Sequence, residues 1–224
     1  MLGIEFPEAL LDALWSAGIA MAFFSAFPIS FVHDWTKHGK MIAGINVGGY
    51  LPKKWFSHFY LYGMIATWLL SPRGSTGRSW LIFHLFRRFL EQFLLFPPTE
   101  GSRMHASAYL FGFVFYTGVA LTIPVRPLSF TLFVIGNVLQ FLSHQALFMN
   151  RWTRKSQDVK KSPPESFLFR YMNCPHYFAE MLIYASLISP ASTPSILAFA
   201  FVVVSLGINW RNQSLWYRSQ LKKP

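Results

Sequence analysis

The chain has 224 residues, is 53% hydrophobic and 13% charged, and carries a formal net charge of +11. Soluble domains carry about 25% charged residues, so the composition excludes an ordinary water-soluble core and points to an integral membrane protein. The positive charge alone would suit nucleic acid, anionic lipid or a phosphorylated small molecule; the long apolar runs argue against the first.

Seven apolar segments follow one another, at about 12–32, 55–71, 80–96, 105–123, 128–149, 174–190 and 194–210. Each is bounded by breakers or charge, among them Pro52-Lys53-Lys54, Pro72-Arg73-Gly74, Pro97-Pro98, Pro124, Pro190 and Pro194. The pattern predicts an all-α membrane protein, a bundle of about seven transmembrane helices in a single domain over residues 1–224. Glu5, Glu8 and Asp12 lie at the start of the first segment. A signal peptide would begin basic, so this segment is expected to be a retained span.

Charge placement orients the bundle. With the N-terminus outside, segments 33–54, 97–104, 150–173 and 211–224 fall inside and hold fifteen of the twenty Lys and Arg residues. The outer segments hold three, and the remaining two are Arg87 and Arg88 within the third span. The bias obeys the positive-inside rule. It predicts a lumenal N-terminus and a cytosolic C-terminus.

Polar residues inside the spans carry the functional signal, because ionisable groups in a bilayer are costly unless they face partners or a wet cavity. The third span holds His84, Arg87, Arg88 and Glu91 at helical spacing. The fourth holds His105, Tyr109 and Tyr116, and the fifth Asn137, Gln140, His144 and Gln145. In the sixth, Tyr177, Glu180 and Tyr184 form one stripe with His176 beside it, and the seventh ends in Asn209, Arg211, Asn212, Gln213 and Trp216-Tyr217. Such stripes converge most simply on one polar cavity open to the cytosol. Lone members would be ordinary interhelical hydrogen bonds, and the Trp-Tyr pair an interfacial anchor. The basic loop 150–166 reads either as a solvated loop near anionic lipid or as a mouth for a phosphate-bearing ligand.

Several chemistries lack their motifs. There is no G-x-G-x-x-G after a strand, no G-x-x-x-x-G-K-[ST], no H-E-x-x-H and no G-x-S-x-G. One cysteine, Cys174, allows neither an internal disulfide nor a cysteine pair for zinc. No metal is expected.

A set of ordered pieces resembles the steroid 5-alpha-reductase family, and within it the polyprenal reductase branch. They are His33 to Lys40 (H-D-W-T-K-H-G-K), Leu51 to Tyr60 (L-P-K-K-W-F-S-H-F-Y), His84 to Glu91 (H-x-x-R-R-x-x-E), His105 to Gly112 (H-x-x-x-Y-x-F-G), Ser143-His144-Gln145, and Cys174 to Glu180 (C-P-H-Y-F-A-E). The resemblance implies a seven-helix enzyme of the endoplasmic reticulum membrane. It would use NADPH to reduce the α,β double bond of a long-chain polyprenal, on the route to dolichol and protein N-glycosylation.

Site residues follow from the same resemblance. Glu180 and His176 match positions that hold the nicotinamide end, and His144 and Gln145 look like amide and ribose contacts. Arg151, Arg154 and Lys155 are candidates for the phosphates, and Tyr217 for a terminal cofactor contact. Arg88 and Glu91 match the network of the third helix. His84, Tyr109 and Arg88 are the candidate donors to the substrate carbonyl. Two departures stand out. Leu85 occupies the place where the steroid branch has Tyr, which argues against steroid as main substrate. Gln213-Ser214-Leu215 precedes the final aromatic pair where the family usually carries His. Competing readings are a related enone or steroid reductase, a membrane transporter or scaffold without catalysis, and a methyltransferase using S-adenosylmethionine.

Overall fold

The computed structural model describes residues 7–26, 49–96, 102–154 and 163–221. Helix dominates: α1 (Glu8–Ser25), α2 (Phe56–Leu70), α3 (Thr76–Leu90), α4 (Ala106–Thr122), α5 (Phe130–Arg154), a short α6 (Phe167–Tyr171), α7 (Pro175–Ser186) and α8 (Thr193–Leu221). Each of the seven apolar segments thus contains a helix. The H-D-W-T-K-H-G-K stretch and Lys155 lie outside the described residues.

The helix starts are written in the sequence. Ser75 caps α3, its hydroxyl accepting from Arg78 N at 3.2 Å. His105 does the same for α4 through Ser107 N. Pro175 takes the first turn of α7, where its missing N–H costs nothing. The helix ends depart further from expectation. Helix α5 runs on to Arg154 and α8 to Leu221, past the apolar runs, because polar residues of good helix propensity continue the helix.

Among the described residues, three helices, Glu8–Ser25, Phe130–Thr153 and Thr193–Ser219, are long and apolar enough to cross a membrane. Helices α2 and α7 have 15 and 12 residues, roughly 22 and 18 Å at about 1.5 Å per residue, short of a hydrocarbon core of about 30 Å.

The helices form a ring. Helix α2 packs against α3 and α4, α4 against α1 and α8, α8 against α1 and α7, and α7 against α5. Polar side chains join α5 to α3. Where α5 meets α7, a Cβ on Gly136 would stand 2.9 Å from the Ala179 carbonyl oxygen and 2.7 Å from Ile183 Cγ1. Only glycine allows that approach, as is usual for helices packed without a hydrophobic drive from water. Aromatic rings fill the interior: Trp15 meets Phe115 edge-on and Phe201 at a tilt, and Phe115 meets Tyr184.

Hydrogen bonds define two ends. At one, β1 (Tyr50–Pro52) pairs antiparallel with β2 (Arg103–His105), extended by Lys53 N to Ser102 O and Ala106 N to Gly49 O, each 2.8 Å. This ribbon fastens the starts of α2 and α4 together. At the other, Thr76 N bonds Val125 O and Ser129 N bonds Ser186 O. Three-residue strands are too short to carry an alternating signal, so the ribbon was not legible in the sequence.

Candidate active site

Three helices converge their polar faces at the ribbon end of the bundle. Helix α3 brings Arg87 and Arg88 in its last turn, then continues as a π-turn over Glu91–Leu95, closed by Phe96 N to Glu91 O at 2.6 Å. In a π-turn residues five apart come onto one face, so Glu91, Gln92 and Phe96 join Arg88 on the cavity wall. Helix α5 supplies His144 and Arg151, and the start of α7 supplies His176, Tyr177 and Glu180.

Glu91 is the hub. It is 1% exposed and forms ion pairs with Arg87 and Arg88. His144 Nδ1 lies 2.8 Å from Glu91 Oε2 and 2.7 Å from Arg88 Nη1. Arg88 Nη2 donates to Tyr60 Oη at 3.0 Å, and the guanidinium carbon sits 5.2 Å from the Tyr60 ring centre. A carboxylate held by two guanidinium groups and an imidazole is a satisfied buried charge.

Behind this hub lies a supporting layer. Arg87 Nε donates to Asn137 Oδ1 at 2.9 Å, and Arg87 also donates to Gln140 Oε1. His84 Nδ1 donates to the same Asn137 oxygen at 3.0 Å, while Asn137 Nδ2 is tied to Phe133 O at 2.8 Å. Asn137 and Gln140 thus anchor Arg87 from α5.

The cavity encloses about 550 Å³, within the range of small-molecule sites, about 300–1,000 Å³. Its walls differ. Helices α1, α4 and α8 present Met21, Ala22, Phe111, Phe115, Phe201 and Val202, with Ser25, Ser205 and Asn209 between them. Helices α3, α5 and α7 present charge. Lys53 and Phe56 stand at the start of α2, and Tyr60 bridges the two sides. The Glu180 side chain lines the cavity and makes no hydrogen bond to a described residue.

Of the twelve candidate residues read from the sequence, Arg88, Glu91, His144, Arg151, His176 and Glu180 share this cavity. His84 is 1% exposed and faces α5 instead of the cavity. The helical spacing that groups 84, 87, 88 and 91 covers a wide face, and its His84–Arg87 edge turns to Asn137. Tyr109 is also set apart: its hydroxyl lies 2.9 Å from His58 Nδ1, among the rings of Trp55, Phe59 and Phe113. Gln145 is exposed, and Tyr217 is buried at 2% exposure without lining the cavity. Arg154 ends α5. Two lining residues, Tyr60 and Lys53, belong to the L-P-K-K-W-F-S-H-F-Y motif and stand outside the twelve candidates. A hydroxyl inside an apolar span, needing a partner there, is the signal that marks Tyr60.

Residues 104–223 match the family described as 3-oxo-5-alpha-steroid 4-dehydrogenase. The polyprenal reductase of Saccharomyces cerevisiae is 30% identical over 187 residues, covering 77% of this chain and 70% of that protein. Polyprenal reductase 1 of Arabidopsis thaliana is 22% identical, over 75% of this chain and 76% of its own length. The polyprenal reductase of Danio rerio is 25% identical, over 84% and 82%. By the extent of these matches the chain belongs to the 3-oxo-5-alpha-steroid 4-dehydrogenase (steroid 5-alpha-reductase) family, oxidoreductases acting on a CH–CH group.

Proposed function

We propose that this protein reduces the α,β double bond of a long-chain polyprenal with NADPH, feeding dolichol synthesis and protein N-glycosylation from the endoplasmic reticulum membrane. The observation that carries the reading is the meeting of Arg88, Glu91, His144 and Glu180, from three helices, on one cavity whose opposite wall is apolar. A polyprenal needs such a division: the isoprenoid is a hydrocarbon, and only its aldehyde end and the cofactor are polar.

The residues present fit a phosphorylated dinucleotide. Lys53 and Arg151 place cations around the cavity, as phosphates require. The Glu180 carboxylate, which has no hydrogen-bond partner among the described residues, can accept from the carboxamide N–H of a nicotinamide. NADPH, when bound, supplies hydride. His144 and His176, whose ring centres are 5.8 Å apart, would hold the ring end with Glu180. The apolar wall would exclude water from the reacting carbons. Arg88, fixed by Glu91, would keep a positive charge at the polar end without being consumed.

The chain is taken as one domain of seven spans, N-terminus lumenal and C-terminus cytosolic. Supporting this, segments assigned by charge to one side are hydrogen-bonded to each other, 49–53 to 102–106 and 76 to 125. The cavity lies at the end from which the basic segments emerge, where a cytosolic cofactor would enter.

The test is the purified full chain in detergent with polyprenal and NADPH. The expected outcome is cofactor oxidation with appearance of the α-saturated product by mass spectrometry, and a rise in thermal stability with NADPH greater than with NADH or S-adenosylmethionine. Stabilisation by S-adenosylmethionine alone would favour methyl transfer. A folded protein that responds to none of the three would overturn the reductase reading in favour of a transporter or scaffold.

A further inference from the structure

Reduction of an enal needs a hydrogen-bond donor at the carbonyl oxygen, because the electron pair displaced from the double bond collects there. The three candidate donors read from the sequence are engaged elsewhere. His84 donates to Asn137 behind the cavity, Tyr109 is held by His58, and Arg88 is committed to Glu91 and Tyr60.

Four tyrosines line the cavity: Tyr60, Tyr116, Tyr177 and Tyr184. Tyr60 is the one whose hydroxyl accepts a hydrogen bond from a cation, Arg88 Nη2 at 3.0 Å. An oxygen that accepts keeps its own proton to give, and the Tyr60 proton has no acceptor among the described side chains. The ring is 8% exposed, fixed edge-on against Tyr116 and beneath the Arg88 guanidinium, so the phenol is oriented before any ligand arrives. Tyr60 also stands where the polar and apolar walls meet, which is where an aldehyde at the end of a hydrocarbon must lie.

We infer that Tyr60 is the catalytic residue that donates to the aldehyde oxygen, oriented by Arg88; this rests on the reductase reading. Once the β-carbon has taken up hydride and formed its new C–H bond, the α,β pair becomes a double bond to the carbonyl carbon. As that bond forms, the carbonyl π bond breaks and its pair moves to oxygen. The Tyr60 proton passes to that oxygen, giving the enol and a phenolate beside Arg88. Water protonates the α-carbon, the enol O–H proton returns to Tyr60, and the hydroxide left behind is neutralised by solvent.

The test uses the full chain with NADP+ and a farnesyl-length enal, read by infrared difference spectroscopy of the carbonyl stretch, beside steady-state kinetics with NADPH. In the unaltered protein the stretch moves to lower frequency on binding. In Tyr60→Phe that shift disappears and kcat falls about 100-fold or more, the scale of losing one oxyanion donor, with KM little changed. Tyr62→Phe removes a hydroxyl from the same helix, bonded to Thr117 Oγ1 at 2.6 Å and outside the cavity, and keeps both the shift and the rate. A Tyr60→Phe protein with the full carbonyl shift, or with kcat near that of the unaltered chain, overturns the inference and leaves the reductase reading standing. An unaltered protein that neither shifts nor reduces the enal overturns both. Should Tyr60→Phe fail to fold, fluorinated tyrosine at position 60 keeps the shape with a more acidic phenol. A deeper shift then supports the inference, and an unchanged one overturns it.

Discussion

Helix α5 has two seams, and they are built on opposite principles. Against α7 it closes at Gly136, backbone against backbone, with Ile183 filling the groove. Against α3 it closes through Asn137, Gln140 and His144 on Arg87, Arg88 and Glu91. Dispersion at the first seam depends on shape alone and tolerates any apolar solution of similar size. The second fixes charges at particular places, and a buried charge without its partner is costly. One seam holds the bundle together; the other holds the site in position, and substitutions can separate them.

The largest effect is expected at Arg87. Arg87→Leu strips Glu91 of one counter-charge and leaves Asn137 and Gln140 short of a donor, and should destabilise by about 3–5 kcal/mol, read as a fall in detergent-unfolding temperature. Changing Glu91 to Leu as well should recover much of that loss, since an apolar pair of similar volume is often no worse than the ions. A double variant as unstable as the single one would show that the seam is not organised around this pair.

Next comes Glu180→Gln. On the proposed reading it removes one charged hydrogen bond to the cofactor, about 1.5–3 kcal/mol, and should weaken NADPH binding by about ten- to a hundredfold with little change in unfolding temperature without ligand. Equal NADPH affinity, measured by titration, would remove Glu180 from the site.

Gly136→Ala presses a methyl group into Ile183 and the Ala179 carbonyl, an overpacking expected to cost about 1–3 kcal/mol. Its NADPH affinity, measured on the folded fraction, should be unchanged, which separates the close-packed seam from the charged one. Smallest is Gln145→Ala. This side chain is exposed, and its loss should alter stability by no more than about 0.5 kcal/mol and leave NADPH titration unmoved. A weaker affinity would bring Gln145 back into the cofactor contact that its place after His144 suggested.

The helices were legible because Pro, Gly and charge punctuate long apolar runs, and seven such runs coincide with seven helices. Their C-terminal limits were not, since an apolar criterion marks where a chain suits lipid and not where its backbone stops coiling. The site was legible as stripes. What the stripes lacked was direction: His84 and Arg88 are one turn apart, yet one meets Asn137 and the other Tyr60. The π-turn after Leu90 added to the ambiguity, because it brings Phe96 onto the face of Glu91 at a spacing of five that helical periodicity does not pair. Tyr60 was not legible, because a tyrosine among Phe, His and Leu looks like packing until its partner on another helix is known.

Of the three described cations on the cavity wall, Arg151 lies within the family match over residues 104–223 and two lie outside it. Arg88 and Lys53, together with Tyr60 and Glu91, are contributed by the half of the chain that precedes it. A fragment cut before β2 would therefore retain the recognisable signature, with His144, His176 and Glu180, while forfeiting the guanidinium and the phenol they face. Supplying residues 1–102 as a separate polypeptide should be the least that could restore cofactor capture to such a fragment.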